Sequence, residues 1–344
     1  MYKNFFRPML FALPPEAVHQ GTLRLLRTAG KLQGIMKVLT RIYKPHPQSS
    51  KHLFGLEFLN QVGLAAGYDK DGEAVACLAA LGFGHIEVGT VTPRPQPGNP
   101  KPRIFRLPED KALINRMGFP GKGAEYVANQ LSRLDKPPGL VLGVNLGKNK
   151  DTPLDEAVND YLFLIEKFAP LADYLVINIS SPNTVGLRQL QHQEYLGRLL
   201  EKADHQRKMS EGQFGKKLPL LVKLAPDLSD TELSQIVDTV LSIQIDGIIA
   251  TNTTIARDGI HSPRAAETGG LSGQPLASRS LQVIQQIRRQ ASDDFPIFGV
   301  GGIHSPEDAE AKIKAGADLV QLYTGLIYQG PGLVKQIVEQ LDSN

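Results

Sequence analysis

At 344 residues, 41% apolar and 21% charged, the chain has the make-up of an ordinary globular protein, with room for one large α/β domain and an appendage. A single cysteine, Cys77, excludes an intrachain disulfide and any Cys-built metal cluster, and the eight histidines show no HExxH-type spacing, so no metal is expected. The net charge of +3 is uneven: residues 1–51 carry nine Lys or Arg against Glu16 alone, which makes that stretch +8 and the remainder −5.

Residues 4–13 and 15–43 predict helices broken at Pro14-Pro15. In the second, Val18, Leu25, Leu26, Ala29, Leu32, Ile35, Met36, Leu39 and Ile42 recur at helical spacing between basic residues. A basic amphipathic helix of this kind lies in an anionic membrane surface. The competing reading packs it on the body of the protein or on a second subunit. Nucleic acid fits less well, because large apolar residues interrupt the basic ones. No stretch reaches the roughly 18–20 apolar residues of a membrane span. Pro8–Pro15 is too short for a secretory h-region, so the chain is expected to stay in the compartment where it is made. Lys44-Pro45-His46-Pro47-Gln48-Ser49-Ser50 is the natural linker, dividing the chain into 1–45 and 46–344.

Beyond the linker, short apolar runs alternate with helical patterns eight times. The strands are Val62–Gly67, His85–Gly89, Leu140–Leu146, Asp173–Ile179, Leu218–Leu224, Asp246–Thr251, Pro296–Val300 and Asp318–Tyr323. Helices are predicted near 72–81, 123–134, 154–168, 194–209, 230–243, 278–291, 306–315 and 332–341. Buried strands alternating with helices mean a parallel sheet covered on both faces, and eight units fit a closed (β/α)8 TIM barrel. The connections 90–122 and 252–277 are long enough to be binding loops. In a barrel, active groups gather at the carboxyl ends of the strands. Those ends carry Ala66-Gly67 with Asp69-Lys70, Thr90, Asn145, Asn178, Lys223, Thr251-Asn252-Thr253, Gly301-Gly302 and Tyr323-Thr324-Gly325. Any one of these is unremarkable; eight in register are a site.

The last two loops are glycine-rich where barrels habitually hold a phosphate. Lys223 would be costly inside the ring unless it faced an anion; it could form a Schiff base or set positive charge beside the N1 side of a flavin. Asn115, Asn145, Asn178, Asn183 and Asn252 each offer a donor and an acceptor on one planar group, which suits flat rings with alternating C=O and N–H. The segment Asn178-Ile179-Ser180-Ser181-Pro182-Asn183-Thr184 leaves its strand carrying much of this chemistry, although the same residues also favour a plain turn. Together they point to FMN beside a small imide-like substrate.

These motifs resemble the dihydroorotate dehydrogenase family, in its quinone-dependent, membrane-associated class. The resemblance covers nearly the whole chain. It rests on Ala65–Gly72, Glu87–Pro95, Asn115–Phe119, Gly147–Lys150, Asn178–Thr184, Ala250–Thr254, Gly269–Gly273 and the Gly301-Gly302 loop. It implies FMN contacts at Ala66, Gly67, Tyr68, Asp69, Lys70, Thr90, Asn145, Asn178, Lys223, Thr251 and Gly273, with the phosphate at Gly302, Tyr323 and Thr324. It also implies dihydroorotate contacts at Lys70, Asn115, Arg116, Met117, Gly118, Phe119, Asn178, Asn183, Asn252 and Thr253. Ser181 takes the family's base position, where soluble relatives carry Cys, with Thr184 as a candidate proton relay. The N-terminal helices would form a tunnel for ubiquinone or menaquinone, with His19 and Arg106 near its inner end. Tyr68, where relatives have Leu or Phe, and Pro120-Gly121, where they have Asn after the Phe, depart from the family pattern.

The implied activity is oxidation of dihydroorotate to orotate in pyrimidine synthesis. The expected form is a monomer held peripherally on the cytoplasmic face of a bacterial-type inner membrane. Three rivals share parts of the pattern: another flavin barrel oxidoreductase, a sugar-phosphate lyase using Lys223, and a non-catalytic membrane-surface barrel.

Overall fold

The computed structural model describes residues 2–45, 50–184 and 186–343. Four residues of the predicted linker, 46–49, lie outside the described residues.

The N-terminal segment has a wide turn at Tyr2–Phe6 and helices α1 (Arg7–Phe11), α2 (Pro15–Ala29) and α3 (Gln33–Tyr43). The long helix expected over 15–43 is therefore two. The break falls at Gly30, where an added Cβ would lie 3.6 Å from the Cβ of buried Cys77, so α2 ends against α4 (Val75–Ala79). Cys77 is 1% exposed, which makes it core.

A hairpin of β1 (Lys51–Leu53) and β2 (Leu56–Phe58) leads into β3 (Val62–Leu64) and β4 (His85–Val91). Then come β5 (Ile104–Leu107), β6 (Ala112–Asn115), β7 (Val141–Leu146), β8 (Tyr174–Asn178), β9 (Leu220–Leu224), β10 (Gly247–Ala250), β11 (Gly270–Gly273), β12 (Ile297–Val300) and β13 (Leu319–Leu322). Eight of these close into a parallel barrel in the order β3-β4-β7-β8-β9-β10-β12-β13, each strand beside its predecessor. All eight predicted strands are present; seven are shorter than predicted, and β4 runs two residues further, to Val91. Helices α5 (Gly123–Ser132), α6 (Ala157–Phe168), α7 (Gln193–Phe214), α8 (Asp230–Ile243), α9 (Ala277–Gln290), α10 (Pro306–Lys314), α11 (Thr324–Gln329) and α12 (Gly332–Leu341) follow in turn. The short α11 was not anticipated.

Outward-facing Val, Ile and Leu of the strands meet the helices in one large core, as two-sided burial demands. The interior is filled by pairing large with absent side chains. A Cβ at Gly63 would lie 2.0 Å from the His85 ring, and one at Gly143 would lie 2.1 Å from the Tyr174 ring. Phe58, His85, Tyr174 and Phe298 pack edge to face and seal the amino end of the barrel.

The two long connections are not irregular. They supply β5, β6 and β11, which form an antiparallel sheet in the order β11-β6-β5 over the carboxyl end. Its register pairs Asn115 with Gly270 and Ala112 with Gly273.

Candidate functional site

A cavity opens at the carboxyl end of the barrel, under that sheet, with about 1020 Å³ of empty space once its solvent-open mouth is counted. Every barrel strand except β7 delivers wall residues to it. They are Ala66, Gly67 and Lys70, then Thr90, Asn178 and Ser181, then Lys223, Thr251–Thr253, Gly301–Gly302 and Tyr323–Gly325. Asn115, Met117, Gly118, Phe119, Asn183 and Gly273 also belong to the wall, as do Gln321 and His304. It carries two lysines and no carboxylate.

Four predicted residues do not line it. Asn145 sits one layer below. Tyr68 turns to the N-terminal segment, its ring 5.3 Å from that of His19 and 5.9 Å from that of Tyr323. Asp69 accepts the N–H groups of Glu73 and Ala74 at 2.9 and 2.8 Å and so shapes the loop after β3. The Arg116 guanidinium pairs with Glu267 at 2.6 Å and stacks on Phe105.

The floor is a continuous network of hydrogen bonds. The Thr90 hydroxyl donates to Asn145 Oδ1 at 2.5 Å. Asn178 Nδ2 donates to Thr90 Oγ1 and Asn145 Oδ1 at 2.9 and 3.0 Å. Asn252 Nδ2 donates to Ser180 Oγ at 2.9 Å, and Ser180 Oγ to Asn178 Oδ1 at 3.1 Å. Asn145 Nδ2 donates to Glu87 at 2.7 Å, Gln321 Nε2 donates to it at 2.8 Å, and Lys223 Nζ lies 3.6 Å from it. Burial first, then the charge of Glu87, pushes the Tyr174 hydroxyl pKa well up. Glu87 and Gln321 were not singled out in the sequence; a Glu within His85–Val91 and a Gln within Leu319–Leu322 were the available signals.

The loop after β8 is pinned from outside. Arg188 Nε donates to the Ser180 carbonyl and Nη2 to the Thr253 carbonyl, each at 3.0 Å, while Nη1 pairs with Asp227 at 2.7 Å. One planar guanidinium thus joins three strand-end loops. Ser181 Oγ accepts the Asn183 N–H at 3.3 Å, which leaves its proton free to be donated. Thr184 Oγ1 is buried, with no hydrogen-bond partner among the described residues. Asn183 Nδ2 donates to Asn115 Oδ1 at 3.2 Å, tying this loop to β6. The departing Pro120-Gly121 segment is firmly held: Gly121 and Gln96 exchange backbone hydrogen bonds of 3.0 Å, and Phe119 still reaches the wall.

Lys70 Nζ donates to the Gly67 carbonyl at 2.5 Å, and burial brings its pKa down to about 8. Thr251 Oγ1, Gln321 Oε1 and His304 Nε2 line the cavity, buried and unpartnered among the described residues. Gly301 and Gly302 take φ of 113° and 77°, a backbone that suits glycine, and a Cβ at Gly302 would lie 2.3 Å from the Ala277 Cα.

His19 and Arg106 are set differently. His19, on α2, packs edge-on against Tyr68, which in turn meets the wall residue Tyr323; burial pushes the His19 pKa down to about 3. Arg106 donates to the carbonyls of Leu10 and Leu13 and lies over the Phe11 ring, so it clasps the turn between α1 and α2.

Residues 49–344 match the family model described as dihydroorotate dehydrogenase. The chain is 51% identical over 346 residues to the dihydroorotate dehydrogenase (quinone) of Acidithiobacillus ferrooxidans, covering 99% of this chain and 94% of that one. It is equally identical over 342 residues to that of Coxiella burnetii, covering 99% and 97%. The ligand-free DHODH of Eimeria tenella superimposes with a TM-score of 0.86 at 40% identity, covering 95% of this chain and 94% of the other. Its complex with ferulenol gives 0.81 over 90% and 89%. The chain belongs to the dihydroorotate dehydrogenase family, in its quinone-dependent class.

Proposed function

We propose that the chain oxidises dihydroorotate to orotate, using FMN as its resident cofactor and a membrane quinone, ubiquinone or menaquinone, as electron acceptor. The observation that carries the reading is the single cavity whose wall joins neutral amides, two lysines and a bare glycine loop without one carboxylate. A phosphate-bearing flavin fits that wall. Its anion would meet Gly302, Tyr323 and Thr324, and its polar ring edge would meet Thr90, Asn178, Lys223 and the unpartnered Thr251 hydroxyl. When bound, FMN supplies the two-electron chemistry, taking a hydride from the substrate and returning the electrons to the quinone.

The protein's own residues do the rest. Lys70 supplies a cation for the substrate carboxylate, and Asn115, Asn178, Asn183, Asn252 and Thr253 offer amide and hydroxyl partners to an imide ring. Ser181 takes the C5 proton. A serine hydroxyl is a weak base, so the proton must leave through water, and the buried Thr184 hydroxyl supports that route. Lys223 is half of a buried ion pair with Glu87, which counts against a lyase that needs a free amine there.

Residues 1–45 are read as the quinone tunnel and membrane contact. Among the described residues, nine of the fourteen exposed large apolar side chains lie between Phe5 and Ile42. Among the described residues no helix is long and apolar enough to cross a membrane; the association is read as peripheral, on the cytoplasmic face of a bacterial-type inner membrane, with the protein as a monomer. The test is purification followed by absorption spectroscopy and a dihydroorotate-dependent quinone-reduction assay. One FMN per chain and turnover are expected; a colourless, inactive protein that takes up no added FMN overturns the reading.

A further inference from the structure

Glu87 is 0% exposed and sits in the barrel interior, where an uncompensated carboxylate would be very costly. It is charged-acceptor chemistry only, and the groups around it come from four strands: Asn145 Nδ2 of β7 at 2.7 Å, Gln321 Nε2 of β13 at 2.8 Å, Lys223 Nζ of β9 at 3.6 Å, and the Tyr174 hydroxyl of β8, which feels its charge. An acceptor-only root fixes which way both amides face. Asn145 must turn Oδ1 toward Thr90 and Asn178, which it does at 2.5 and 3.0 Å. Gln321 must turn Oε1 away from the carboxylate, and that oxygen is buried and unpartnered among the described residues. The same carboxylate balances the one cation on the cavity floor.

We propose that Glu87 is a positioning residue that sets the hydrogen-bond polarity of the cavity floor and the net charge that a bound flavin meets there. The inference rests on the flavin reading above. Glu87 does not line the cavity, so it acts through Asn145, Gln321 and Lys223. In Glu87→Gln one oxygen becomes an NH2 group that opposes an NH2 of Asn145 or Gln321, so one amide has to turn. Lys223 is then left without its counter-charge. Two effects follow: oxidised FMN binds more weakly, and the unbalanced ammonium favours the anionic reduced ring.

The experiment measures FMN affinity by fluorescence quenching on the stripped protein, and the midpoint potential of bound FMN by dye-coupled titration. For Glu87→Gln we expect at least tenfold weaker binding of oxidised FMN. The preference for reduced over oxidised FMN should rise about tenfold, which is about +30 mV for a two-electron couple. Equal loss of both forms would mean a merely structural role and overturn the proposal, as would wild-type affinity. If Glu87→Gln does not fold, Glu87→Asp decides, because it keeps the charge but no longer reaches both amides. It should lose about tenfold in FMN affinity with the redox preference within twofold of wild type; an unchanged affinity or a shifted preference overturns the proposal. No FMN uptake by the wild type overturns the flavin reading and this inference with it. Uptake by the wild type with unaltered variants overturns this inference alone.

Discussion

Ser181 and Lys70 carry the most direct consequences at the level of single residues. Ser181→Ala keeps every amide of the floor and should bind dihydroorotate. Its flavin should be reduced orders of magnitude more slowly, as stopped-flow absorbance would record, because the proposed proton acceptor is gone. Ser181→Cys should regain rate as pH climbs toward the thiol pKa of about 8.5. A near-native reduction rate in Ser181→Ala would take the base assignment away from this residue. Burial places the Lys70 pKa at about 8, so the free protein holds that cation below pH 8 and loses it above. kcat/KM for dihydroorotate should therefore be level up to that pH and then fall about tenfold per unit. Lys70→Met should show a low, flat profile; the same alkaline limb in the variant would mean that another group titrates.

Among elements, the N-terminal helices are the separable ones. They are tied to the barrel by a limited set of polar contacts: Tyr2 to the Ile327 carbonyl at 2.7 Å, Arg7 to the Tyr328 carbonyl at 3.2 Å, Glu16 to Arg103 at 2.8 Å, Arg27 to Glu73 at 3.0 Å, and Arg106 to the carbonyls of Leu10 and Leu13. Deleting residues 1–45 leaves every strand-end group in place. Reduction by dihydroorotate should persist while reoxidation by a long-tailed quinone falls sharply. Vesicle binding of the intact protein should weaken with salt, since part of it is screened charge. Unchanged quinone turnover after truncation would leave these helices a purely structural role. The barrel elements were legible because apolar runs of uniform length end abruptly in Asn, Lys, Thr or Gly. Strands β5, β6 and β11 were not, because they pair with one another outside the βα repeat, inside the two long connections. Glu87 was hidden for a different reason: its meaning depends on Lys223 and Gln321, which only closure of the barrel brings beside it.

For the molecule as a whole, the sealed amino end of the barrel holds His85, which, like His19 on α2, makes stability fall with acid because burial lowers its pKa. His85 is 0% exposed, neither ring nitrogen has a partner among the described residues, and burial pushes its pKa down to about 3. In the unfolded chain it would titrate near 6.5. The unfolded state therefore binds the proton first, and the stability present above pH 6.5 is lost as pH falls toward 3. Between pH 7 and pH 5 this one ring should cost about 2 kcal/mol. Denaturant titrations of wild type and His85→Phe at the two pH values should differ by that amount; an identical pH slope would place the acid sensitivity elsewhere.

The sheet over the cavity has a kinetic consequence. In the chain, four barrel strands separate β6 from β11, yet the two pair residue for residue from Ala112 to Asn115. Such a pairing gains nothing until the barrel between them has closed, so it belongs to the last stage of folding. By the same logic it is a small cooperative unit that can unzip while the barrel persists. Its amides, including those of Leu113 and Ser272, which the register sets opposite each other, should exchange with solvent well before those of β4 and β7. Occupation of the cavity beneath should slow that exchange, so the roof of the site is stitched shut by what it covers.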